Sequence, residues 1–211
     1  MLPSSMHVQW SGRRSSMRTR LHSQLATYAV GTKRFADVPA IDCGHTSAQI
    51  FVGRDSLVTD IVGMSTDKQF INTLEDNIRY RGAMDKLISD RAQLEISNRA
   101  KDLLRAMAID DWQSEPGYQH QNFAERRYNT LKTTSNTVMN RFGAPDYTWL
   151  LCLMYVCYML NHTATESLNW RTPLEKLNGQ TPDISALITY HFWEPVYYMI
   201  EDSSFLSETT K

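Results

Sequence analysis

Cysteine is scarce in this chain, and what there is lacks the spacing of a metal site. Cys43, Cys152 and Cys157 form no Cys/His cluster at zinc-ligand spacing, so they read as unpaired intracellular thiols. The chain does not open on the charged, apolar, small-residue order of a signal peptide, and nothing in it implies secretion. Long apolar runs are missing too. The longest, 149–160, has 12 residues, too few to cross a hydrocarbon layer of about 30 Å as a helix, so it reads as a buried core helix with no membrane partner. Neither internal repeats nor low-complexity tracts occur.

Acidic residues are absent before Asp37, although Arg13, Arg14, Arg18, Arg20, Lys33 and Arg34 all precede it. Residues 1–27 therefore read as a flexible basic tail, either a solvated remnant of a longer polyprotein or an arm that touches phosphates without sequence preference. The total charge of −1 separates neither reading, because distribution governs nucleic-acid contact more than the sum does.

What is present supports one main domain with appendages. The chain has 211 residues and 42% of them are hydrophobic, enough for an ordinary core. A strand is expected somewhere in 28–35. Residues 48–52 and 57–62 are β-branched runs separated by Gly53, Arg54, Asp55 and Ser56, a hairpin pattern. Thr66 is placed to cap a helix on which Phe70, Leu74 and Ile78 share one face, ending at Gly82. A short apolar segment, 84–90, reads as a buried strand that delivers Asp90 at its end. A helix through Leu94, Ile96, Leu103, Leu104 and Met107 follows, then a short strand near 109–112 and a long helix after Asn122. Several α/β topologies share this order of elements.

Asp90 and Glu125 are the candidate functional carboxylates, 35 positions apart. Each also has a plain structural reading. Asn122 is a plausible N-cap with Glu125 three residues on, which is an Asn-x-x-Glu capping pattern, and acids are common in first helical turns.

The neighbouring residues resemble the integrase catalytic core of copia-type retroelements, a DDE family with the ribonuclease H-like fold. Ser89-Asp90 matches the family's Ser-Asp step after a buried strand. Gln121, Asn122, Ala124, Glu125 and Arg126 match the start of the helix that carries its glutamate, and the Gln- and Pro-containing stretch 113–120 falls between the two. Downstream, 171–179 resembles the Thr-Pro-x-Glu-x-x-x-Gly segment that follows the core. Four ordered motifs carry the resemblance, which runs from about Phe35 to about Tyr198.

The resemblance implies a mixed five-stranded sheet flanked by helices over residues 28–165, with a C-terminal helical and β extension, 166–211, that begins a following module. It implies two Mg²⁺ (or Mn²⁺) ions held by Asp90 and Glu125, DNA as partner at element ends and target, nuclear localisation, and action as a multimer. Gln121, Asn122, Arg126, Arg127 and Lys132 would then meet DNA, with Arg141 beyond them; a solvated helix face is the plain alternative for the basic residues. His120 reads more simply as a loop hydrogen-bonding group than as a general base. The zinc module usual in integrases finds no ligands here, and the chain reads as a fragment. Residues 191–200, rich in aromatics, read as a strand.

One member of the pattern fails. DDE enzymes require an aspartate on the first strand, and counting back from Ala48 places that position at Thr32, which has no carboxylate. Asp37 and Asp42 are the nearby substitutes, although Val38-Pro39 and Cys43-Gly44 give each the look of a turn residue. Three function classes follow: an integrase core acting on DNA, a catalytically inactive DNA-binding relic of one, and an interaction domain whose carboxylates only cap and pair.

Overall fold

Alternation along the second strand fixes how this molecule is layered. In β2 (Ser47–Gly53) Phe51 is buried on one face, while Ala48, Ile50 and Val52 are buried on the other, as the two-residue period of a strand requires. A strand apolar on both faces must be covered on both. The computed structural model describes residues 27–34 (backbone), 39–41, 44–89, 98–113 and 123–197.

Five strands form one mixed sheet in the order β3-β2-β1-β4-β5. β1 (Thr27–Arg34) lies between β2, to which it is antiparallel, and β4 (Lys86–Ser89), to which it is parallel. β3 (Thr59–Met64) pairs antiparallel with β2 at one edge, and β5 (Asp110–Gln113) pairs parallel with β4 at the other. One face carries α1 (Phe70–Arg81), α2 (Asn98–Ala106) and α5 (Pro173–Asn178). Their Phe70, Leu74, Ile78, Leu104 and Leu177 pack with Phe51 and Leu87 of the sheet. The other face carries α3 (Phe123–Phe142) and α4 (Trp149–His162), whose Leu131, Leu150, Leu153 and Val156 pack with Ile50, Val52 and Ile88. A short α6 (Ser185–Thr189) follows.

Four local expectations are corrected. Thr66 makes no side-chain cap: Gln69 Oε1 accepts from the Ser65 and Thr66 backbone N–H groups at 2.7 and 3.3 Å, and a 3₁₀ turn, Asp67–Gln69, precedes α1. The third strand starts at Thr59 instead of 57, because Leu57 stands in the left-handed region at φ 59° and belongs to the turn. α4 is not buried all round. Leu151, Met154 and Tyr158, spaced three and four apart, form an exposed stripe along it. Residues 191–197 form turns and coil, not strand: Trp193 has φ 60° and the Glu194 side chain accepts from His191 N–H at 2.8 Å.

The segment 171–179 is a helix with both ends specified. Thr172 Oγ1 accepts from Glu175 N–H at 3.0 Å, Pro173 occupies the first turn where its missing N–H is harmless, and Gly179 closes the C-terminus at φ 73°. Leu177 from this helix sits in the core against the sheet.

Candidate functional site

α3 brings its first turn over the α3/α4 face of the sheet, packing on β1 and β2 and against α4. Glu125 lies in that turn, half-buried, where a carboxylate also favours the positive end of the helix dipole. β4 ends at Ser89, fully buried. Asp90, Asp37, Asp42, His120, Gln121 and Asn122 lie outside the described residues. β1 carries no Asp or Glu along its length, and Thr32 stands opposite Gln49 in register.

Magnesium takes hard oxygen donors, and Glu125 is one such donor. A single carboxylate does not make a two-metal site. Among the described residues no group of three His, Cys, Asp or Glu gathers closely enough to hold an ion.

The three basic residues expected on α3 part company. Lys132 is exposed on the helix surface. Arg126 is exposed at the mouth of a cleft of about 530 Å³ that it shares with Phe123, Trp112, Ile88, Lys86, Leu57 and Arg54. Arg127 departs from the expected solvent-facing role and turns inward. Its Nε donates to Thr59 Oγ1 at 3.0 Å, its Nη2 is buried without a partner, and burial holds its pKa below the ordinary arginine value. The contact ties the first turn of α3 to β3, immediately after the hairpin turn that supplies Arg54 and Leu57.

A polar cluster lies around the same end of β3. Asp60 receives Arg81 through two bonds of 2.7 and 2.9 Å, and Asn77 Nδ2 approaches it at 3.4 Å. Asn161 at the end of α4 accepts from Thr59 N–H at 2.9 Å and donates to Thr59 O at 2.7 Å. Cys157 Sγ also donates to Thr59 O, at 2.9 Å. Burial, reinforced by Asp60, pushes the Cys157 thiol up to about 12, so it is a structural group and not a nucleophile.

The cleft was not legible from sequence. Its lining comes from a turn, two strands and a helix, and only Arg126 belonged to a recognisable motif. Lys86, a cation in an otherwise apolar strand, was the one local signal.

The fold built by these elements is that of retroviral integrase catalytic cores. In particular, a chain of the simian T-cell lymphotropic virus intasome, solved by cryo-EM in complex with a PP2A regulatory subunit, matches with a TM-score of 0.57 and 14% identity over 83% of this chain. The match spans 62% of that viral chain, less than two thirds of its length. The HTLV-2 integrase catalytic core domain in complex with magnesium matches in its trimeric form with a TM-score of 0.57 and 10% identity, covering 73% of this chain and 97% of that one. Its dimeric form gives 0.56 and 11%, covering 74% and 97%. No protein-family model and no curated protein matches the sequence.

Proposed function

We propose that this chain is an integrase-like core of the copia type, which binds DNA and joins a DNA 3′ end to target DNA by phosphodiester strand transfer. The observation that carries the reading is Glu125 in the first turn of α3, packed over a sheet in which β4 ends one residue before Asp90, within the fold of integrase cores. Asp90 and Glu125 would hold Mg²⁺ or Mn²⁺, with Asp37 or Asp42 completing the set. Two such ions, when bound, neutralise phosphate charge and stabilise both the entering and the leaving oxygen. Gln121, Asn122, Arg126 and Lys132 would fix the DNA strand beside these carboxylates. Residues 28–165 form the core in this reading and 166–211 the extension; DNA in the nucleus is the substrate, and a homo-oligomer the working form.

A second reading is favoured by β1. The strand where DDE enzymes place their first aspartate has no carboxylate, and losing a ligand shared by two ions disables both. The chain would then bind DNA without joining it.

Joining of a labelled oligonucleotide end to plasmid DNA in Mg²⁺ or Mn²⁺ tests both. Activity in the wild type that drops at least a hundredfold in Asp90→Asn and in Glu125→Gln supports the first reading. DNA retention with no joining supports the second. Joining that survives both substitutions would sink the metal-site mechanism.

A further inference from the structure

We propose that the cleft between the β2–β3 turn, the β4–β5 edge and the start of α3 holds a single unpaired nucleotide of a DNA strand. The inference rests on the DNA-binding reading above and assigns the ligand of a cleft lined by Arg126, the residue that follows Glu125 in the chain. Three cations, Arg54 from the turn, Lys86 from β4 and Arg126 from α3, line this one cavity. Among the described residues none of the three has an ion-pair partner, and Asp110, the register neighbour of Lys86, is not paired with it. Like charges lining one cavity repel one another, which an anionic ligand relieves.

The remaining wall is apolar and aromatic. Trp112 and Phe123 are only partly buried, packed on the core from one side and lining the cleft from the other. A flat apolar surface beside a ring of cations matches a base joined to a phosphate, and the volume of about 530 Å³ falls in the range of sites for ligands of that size. Duplex DNA cannot use the aromatic wall, because its base faces are already stacked; an unpaired base can. Walls from separate elements are held in register by the Arg127–Thr59 bond, which makes Arg127 a positioning residue for the cleft. Leu57, on the opposite wall, keeps a left-handed backbone at φ 59°, a cost for a residue with a branched side chain.

The test is fluorescence anisotropy of the full chain with a labelled single-stranded thymidine oligonucleotide. Unlabelled duplex, the matching RNA, thymidine monophosphate and inorganic phosphate serve as competitors. Expected results are preference for the single strand over the duplex, and about tenfold weaker binding in Trp112→Ala. Arg54→Gln, Lys86→Gln and Arg126→Gln should each reduce the slope of log affinity against log salt by about 0.7, while Lys101→Gln on the opposite layer leaves it unchanged. The glutamine variants keep the test valid if Trp112→Ala does not fold. Competition by the monophosphate better than by phosphate supports a nucleotide site, whichever source supplies it. Competition by phosphate equal to that of the nucleotide overturns the assignment, as does RNA preferred over DNA, or cleft variants that bind like wild type. Strand joining that persists without cleft-dependent binding sinks this inference alone; cleft-dependent binding without joining leaves it standing and removes the catalytic reading.

Discussion

Asn161 acts as a piece of strand. β3 has only β2 beside it, so the Thr59 N–H and C=O need partners from elsewhere, and the Asn161 amide supplies an acceptor and a donor at 2.9 and 2.7 Å. Asn161→Ala would leave the Thr59 N–H without its acceptor and the Thr59 C=O with only the Cys157 thiol, and is expected to cost about 1–3 kcal/mol, read from the urea midpoint. Asn161→Asp would be similarly damaging, since a carboxylate cannot donate to Thr59 O. No local pattern announces this role: Asn161 ends an apolar run, and its partner lies 102 residues earlier. Thr172, Glu175 and Gly179 show the opposite case. Their spacing stood out only as a family resemblance, and the structure gives the motif a local physical meaning as the start and stop of one short helix. The inward turn of Arg127 was hidden for the same reason as Asn161, because the side chain that receives it comes from a distant strand.

β3 passes close under α4 at Gly63. A Cβ placed on Gly63 would lie 2.6 Å from Leu150 Cδ2 and 2.6 Å from His45 Cδ2, well inside contact distance. Leu150 is 2% exposed and wedged in the core, so it cannot swing away freely. Gly63→Ala is therefore expected to destabilise by about 1–3 kcal/mol through overpacking, measured as a lower thermal midpoint. Leu150→Ala in the same chain should relieve part of that loss, so the two changes are less than additive. At this scale the order of strands and helices was legible, since each element repeats its own period. Boundaries were less so, and the left-handed Leu57 moved the start of β3. Exposure along α4 was not legible at all: an unbroken apolar run has no periodic contrast, so nothing marked Leu151, Met154 and Tyr158 as the outward side. Residues 191–200 read as strand from composition, but among the described residues no strand pairs with 191–197 and the backbone turns at Trp193.

For the molecule as a whole, the layer of α3 and α4 contains two buried thiols that tie stability to alkaline pH. Burial pushes Cys152 up to about 11 and Cys157 up to about 12 from an ordinary value of 9.0. A thiol with a raised folded-state pKa stays protonated while the unfolded chain has already lost its proton. Its contribution is thus fully present below about pH 9 and is lost as pH rises through 11 and 12. Cys157→Ser isolates one of them. The hydroxyl can still donate to Thr59 O, as the thiol does at 2.9 Å, but it does not titrate in this range. Urea midpoints compared at pH 8 and pH 10.5 should fall less steeply in the variant, by on the order of 1 kcal/mol per pH unit. An equal fall in both proteins would mean that Cys157 ionises in the folded state as readily as in the unfolded chain. The packing of α4 over β3, which also seats the wall of the cleft through Thr59 and Arg127, would then be looser than these distances imply.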